Sequence, residues 1–138
     1  MKTMSIQEQQ TVREKYYNEA MRYMSNAKEN LQKAGKEDNF YLDDKYVKTA
    51  CGVAYNGVLK ALDGYFELKE VKKPRGRRSI EFYENALAKL DKKLLAYLNN
   101  VYQVLHLLGY YDGNRSVKII QAGIEDAHVI INYIKPKR

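Results

Sequence analysis

Two stretches hold the side chains with the most chemistry in them. In the first, His106 is closely followed by Tyr110, Tyr111, Asp112 and Arg115. Histidine is the side chain best suited to moving protons near neutral pH. An arginine beside it could clamp a phosphate. With His106 as proton-transfer residue and Arg115 as clamp, this would be a metal-independent ribonuclease. The plainer account is a partly buried His106 bonded to a carbonyl or a tyrosine, with Asp112-Gly113-Asn114 making a turn. The second stretch is Val71–Arg78, VKKPRGRR, where five of eight residues are basic. Lys72, Lys73, Arg75, Arg77 and Arg78 could neutralise the phosphates of a nucleic acid. No aromatic residue interleaves them, so the loop alone offers no stacking platform. Its plainer account is a solvated loop near helix ends.

Other chemistries find little support. A single cysteine, Cys51, allows no internal disulfide and no cysteine-based zinc site, and it reads as a small core residue. Glu125 and His128 make a single Glu-x-x-His, but a di-iron bundle requires that motif on two helices, and Gln103 stands three residues before His106. His128 reads as a boundary residue of its helix. Neither a Gly-rich phosphate loop nor a nucleophile elbow is present. The sequence therefore implies no metal and no cofactor.

The elements that must position these residues follow from periodicity. The stretch Lys45–Leu68 carries apolar residues at Val47, Cys51, Ala54, Val58, Ala61/Leu62 and Tyr65, the spacing of one helical stripe. Its small residues, with Gly52, Gly57 and Gly64, mark it as a central helix that others approach closely. A first helix is predicted from Ser5 to Ala34, with Ser5 and Glu8 as a capping box and Gly35 as its stop. The connection Lys36–Asp43 is polar, with Phe40, Tyr41 and Leu42 expected to tuck against the helices. Ser79 caps a third helix, Ile80 to Leu108, with the stripe Tyr83, Leu87, Leu90, Leu94, Tyr97/Leu98, Val101, Leu105 and Leu108. Ser116 caps a fourth, ending near Ile134 before Pro136.

Four long helices joined by short connections predict one all-α domain over residues 1–138, an up-down-up-down four-helix bundle. Connectivity then puts the N-terminus, the basic loop and the tail Lys135–Arg138 at one end. The connection 36–44 and the turn 109–115 go to the other. In a monomer the basic loop and His106 would sit apart, and only a head-to-tail dimer would join them. The net charge of +7 favours acidic partners only weakly. No apolar run approaches a membrane span, and the N-terminus lacks the apolar core of a signal peptide. These features point to a soluble, cytoplasmic, bacterial protein. Thirteen tyrosines beside three phenylalanines and no tryptophan fit boundary positions, where a ring is buried and its hydroxyl stays wet. They fit an oligomer interface equally well.

The segment CGVAYNGVLKAL resembles the small-residue, Ala/Tyr-rich helix of HEPN-like bundles. VLHLLGYYDG followed by IIQAGIEDAHVIINYI resembles the end of that fold. HEPN ribonucleases place an Arg four to six residues before a His. No Arg stands there before His106 or His128, and Asn99 and Asn100 occupy the region upstream of His106. The resemblance thus implies a non-enzymatic HEPN-like adaptor, a homodimer, of the kind that accompanies nucleotidyltransferases or binds nucleotide or RNA. On this reading the basic loop meets RNA or another phosphate-bearing or protein partner. Tyr110, Tyr111 and Asp112 form a second contact. A structural homo-oligomer held by its tyrosines is the remaining alternative.

Overall fold

The computed structural model describes residues 3–76 and 78–137. Within them the chain is mostly helical: α1 (Ile6–Ala34), α2 (Asp44–Leu68), α3 (Ile80–Leu90), α4 (Lys92–Val101), a π-helix (Tyr102–Tyr111) and α5 (Val117–Asn132). Between α1 and α2 a small antiparallel hairpin pairs β1 (Lys36–Glu37) with β2 (Phe40–Tyr41). None of these helices is long and apolar enough to cross a membrane.

The helix starts obey their local chemistry. The Ser5 hydroxyl accepts from the Glu8 amide at 3.0 Å, and the Glu8 carboxylate accepts from the Ser5 amide at 3.3 Å. Asp43 caps α2 by accepting from the Lys45 amide, and Ser116 caps α5 by accepting from the Ile119 amide, each through its side chain alone. Ser79 sits at the cap position of α3 with extended backbone, yet its side chain makes no capping bond.

α2 is the centre, lying against α1, the π-helix and α5. Its glycines permit that. A Cβ on Gly64 would stand 2.5 Å from Tyr16 Cβ, and one on Gly52 would stand 2.8 Å from the Tyr110 ring. α1 therefore rests on the Gly57–Gly64 side, while the π-helix rests on the Gly52 side. Val47, Ala54, Val58, Leu62 and Phe66 of α2 are buried among Leu87, Leu94, Leu98 and Leu105 from the opposing helices. At roughly 2 kcal/mol of transfer energy per large apolar side chain, this shared interior is the main stabilising term.

The third predicted helix is interrupted. Asp91 adopts extended backbone (φ −161°, ψ 98°), ending α3 and capping α4 through a 2.9 Å bond from the Leu94 amide. An aspartate can satisfy a helix start with its own carboxylate, and here that local bond prevails over the heptad. Leu90, expected in the core, is 40% exposed as a result. Beyond Val101 the helix widens to the π form. Its buried positions now advance by four, Val101 to Leu105 to Gly109, so Leu108 is only half-buried. In the connection, Tyr41 is buried, but Phe40 and Leu42 are exposed rather than tucked in.

The two ends are tied as connectivity requires. The Tyr41 amide donates to the Arg115 carbonyl at 2.8 Å, and the Val117 amide donates to the Asn39 carbonyl at 3.0 Å. At the other end the Gln10 side chain donates to the Lys137 carbonyl at 2.7 Å and accepts from the Lys137 amide.

Candidate functional site

The π-helix carries three aromatic side chains along one face. Tyr102, His106 and Tyr110, spaced by four, fall in one row. The Tyr102 and His106 rings lie 5.1 Å apart at 29°, and those of His106 and Tyr110 lie 5.9 Å apart at 11°. Tyr55, from α2, stacks on His106 at 4.6 Å and 27°. Tyr111 meets His106 edge-on at 5.0 Å. Four tyrosines thus surround one imidazole. π-helical turns are rare, and they concentrate at functional sites.

This row forms one wall of an open groove of about 750 Å³ that runs along α2 from Thr49 to Leu59. Asn56 of α2 lines its floor, and Ile80 and Tyr83 of α3 line the far wall. Gly76 and Arg78 complete it. Gly76 and Arg78 of the basic loop therefore meet the His106 segment within a single chain. This corrects the expectation that they stay apart in a monomer, because Arg78 is drawn to Asp63 of α2 and lines the same groove as His106.

Arg78 is held in a closed triangle. Its Nη2 donates to Asp63 Oδ2 at 2.7 Å, and its Nε donates to the Tyr83 hydroxyl at 3.3 Å. The Tyr83 hydroxyl donates to Asp63 Oδ1 at 2.9 Å. Both carboxylate oxygens of Asp63 are thus hydrogen-bonded, as a side chain only 7% exposed requires. The hydrogen bond with Tyr83 is the largest cause that raises the Arg78 pKa. Burial pushes the Tyr83 hydroxyl up to about 12. Desolvation alone lowers His106 from its ordinary value, so it is neutral at pH 7. Burial likewise raises Tyr55. The groove thus presents neutral rings, hydroxyls and one fixed guanidinium. A planar ring could stack there while a phosphate meets the arginine.

The remaining sequence-derived residues lie as follows. Lys72, Lys73 and Arg75 do not line the groove. Lys73 Nζ stands 5.5 Å from the Tyr16 ring centre. Arg77 is outside the described residues. Arg115 is not at the groove, and its Nη1 donates to the Tyr41 carbonyl at 3.4 Å. Tyr110 is at the groove, whereas Tyr111 and Asp112 are not. Asp112 ends the π-helix, with its amide donating to the Leu107 carbonyl at 3.1 Å, and Gly113 turns the chain with φ 64°. Cys51 is buried against Gly109, which raises its thiol to about 12. Among the described residues no cluster of metal-ligating side chains occurs.

Sequence reasoning missed Asp63, Tyr55 and Asn56. The signal for Asp63 was present: a lone carboxylate inside the apolar run Ala61-Leu62-Asp63-Gly64-Tyr65-Phe66 needs a cation. A signal for the ring row was present too, because Tyr102, His106 and Tyr110 stand four apart and residues at that spacing share a helix face.

A mostly helical protein with an aromatic, arginine-bearing groove is the class these features define. The chain belongs to the DUF5618 family, a domain of unknown function whose model matches residues 15–136. It is also similar to a protein of unknown function from Dyadobacter fermentans, whose solved structure superposes with a TM-score of 0.78. That protein shares 41% sequence identity, and the match covers 88% of this chain and 94% of the other. No curated protein matches the chain.

Proposed function

We propose that this chain is a non-enzymatic binding module of HEPN-like type that holds single-stranded RNA in the groove between α2, α3 and the π-helix. In the four-helix description α3, α4 and the π-helix together take the third position. The observation that carries the reading is that Arg78 and the row Tyr102–His106–Tyr110 line one cavity. Rings take unpaired bases by stacking, at roughly 1–3 kcal/mol per base, without demanding a sequence. Arg78, oriented by Asp63 and Tyr83, meets the backbone phosphate. Lys72, Lys73 and Arg75 add general attraction to the polyanion. The reading further makes the module a cytoplasmic homodimer, in which exposed Phe40, Leu42 and Tyr111 are apolar side chains that a second copy would cover.

The test is binding of a labelled single-stranded RNA across a salt series, with wild type beside a variant in which Arg75, Arg77 and Arg78 are alanine. The same RNA is followed on a gel. The expected result is salt-sensitive binding, lost in the variant, with the RNA intact. His106 lines the groove, and this favours one rival reading. Cleavage that survives metal chelation would make the protein a ribonuclease using His106, which is then the next residue to change. Absence of binding at low salt would leave the structural homo-oligomer.

A further inference from the structure

A second cleft lies on the opposite flank, between α1 and α5. α1 lies along α2 for most of its length and meets α5 at few points. The two helices are nevertheless tied at both ends. At one end Arg13 Nη1 donates to the Tyr133 carbonyl at 3.1 Å, beside the Gln10–Lys137 pair of bonds. At the other, Gln121 of α5 donates to the hydroxyl of buried Tyr41 at 2.8 Å, and Tyr41 belongs to the hairpin that continues α1. Between these ties the helices stand apart and enclose about 650 Å³. That volume is within the range of small-molecule sites, and the fixed ends mean that no closure is needed to form it.

The lining has two characters. Met21, Met24, Leu31 and Ile124 make an apolar bed. Methionines adapt their shape to an irregular ligand. Around it stand Lys28, Lys36, Glu125 and His128. Burial lowers His128, so it is neutral at pH 7. Two lysines then face one carboxylate. The ion pairs among the described residues are Arg22–Glu19 and Arg78–Asp63, so neither lysine is within bonding distance of an acid. An apolar bed with a surplus positive charge complements an apolar chain bearing one negative group.

We propose that the α1–α5 cleft binds a small amphipathic carboxylate, its chain on Met24, Leu31 and Ile124 and its head group at Lys28 and Lys36. The proposal is independent of the RNA groove, which lies across α2.

The probe is decanoate, titrated into isotope-labelled full-length protein and followed by NMR. The expected result is saturable shifts at Ile124, His128 and Gln121, with decanol weaker than decanoate. Changing both Lys28→Ala and Lys36→Ala should weaken decanoate roughly five-fold, two partly screened charge contacts being lost. Lys92→Ala with Lys93→Ala, on α4, should leave the affinity unchanged. Ile124→Trp should fill the cleft and abolish binding. The lysine variants are at the surface and keep the test valid if the tryptophan variant does not fold. Shifts that never saturate would overturn the proposal. So would equal affinity for decanol and decanoate, or unchanged affinity in the double lysine variant.

Discussion

Asp63 shows how one residue can organise a site. It is the buried charged side chain of the described core, and it satisfies both Arg78 and Tyr83. Its removal would leave a half-buried guanidinium and a buried hydroxyl without their acceptor. Asp63→Ala should cost about 1–3 kcal/mol, and Tyr83→Phe about 0.5–1.5 kcal/mol, as read from urea midpoints. The Arg78 side chain is part-exposed, so the loss stays below that of a fully buried pair. The aspartate variant should also weaken RNA binding even though Asp63 would repel phosphate, because it positions Arg78. A gain in affinity would show that the aspartate merely neutralises the arginine.

At the scale of elements, the π-helix is the feature on which the site depends. Gly109 is packed against the Cys51 side chain and beneath the carbonyl of Val104. Even a methyl group there must push the π-helix away from α2. Gly109→Ala should destabilise by about 1–3 kcal/mol, as overpacking does, and should disturb the ring row. Thiol accessibility provides a second readout. Cys51 in the wild type should react with a thiol reagent only on unfolding, while the variant should expose it by local opening. The sequence made α1, α2 and α5 legible to within a few residues, because caps and stripes agreed there. It misread the third helix for two physical reasons. Asp91 spends its carboxylate on the Leu94 amide, which breaks a heptad that looks continuous. The change from three-and-four to four-residue steps after Val101 costs nothing in composition and leaves no mark in hydropathy.

The whole molecule responds to pH through its histidines. Burial holds both His106 and His128 below the ordinary value of 6.5. As pH falls, the unfolded chain therefore takes up these protons before the folded one does. Stability present above about pH 6.5 is lost below it. Asp126, raised by burial, acts in the opposite sense within the carboxylate range. Urea midpoints should drop between about pH 7.5 and about pH 5.5, and the drop should flatten when both histidines are changed to glutamine. The placing of the ends was legible from connectivity alone. The meeting of Arg78 with His106 was not, because it depends on the path of a loop without periodicity. The most direct measurement of the central claim is RNA affinity at one salt concentration for Arg78→Ala, Tyr110→Leu and Lys72→Ala, each alone. The groove account predicts that the first two lose several-fold more affinity than the third. Equal losses at Arg78 and Lys72, with none at Tyr110, would contradict it and reduce the interaction to general attraction by the basic loop.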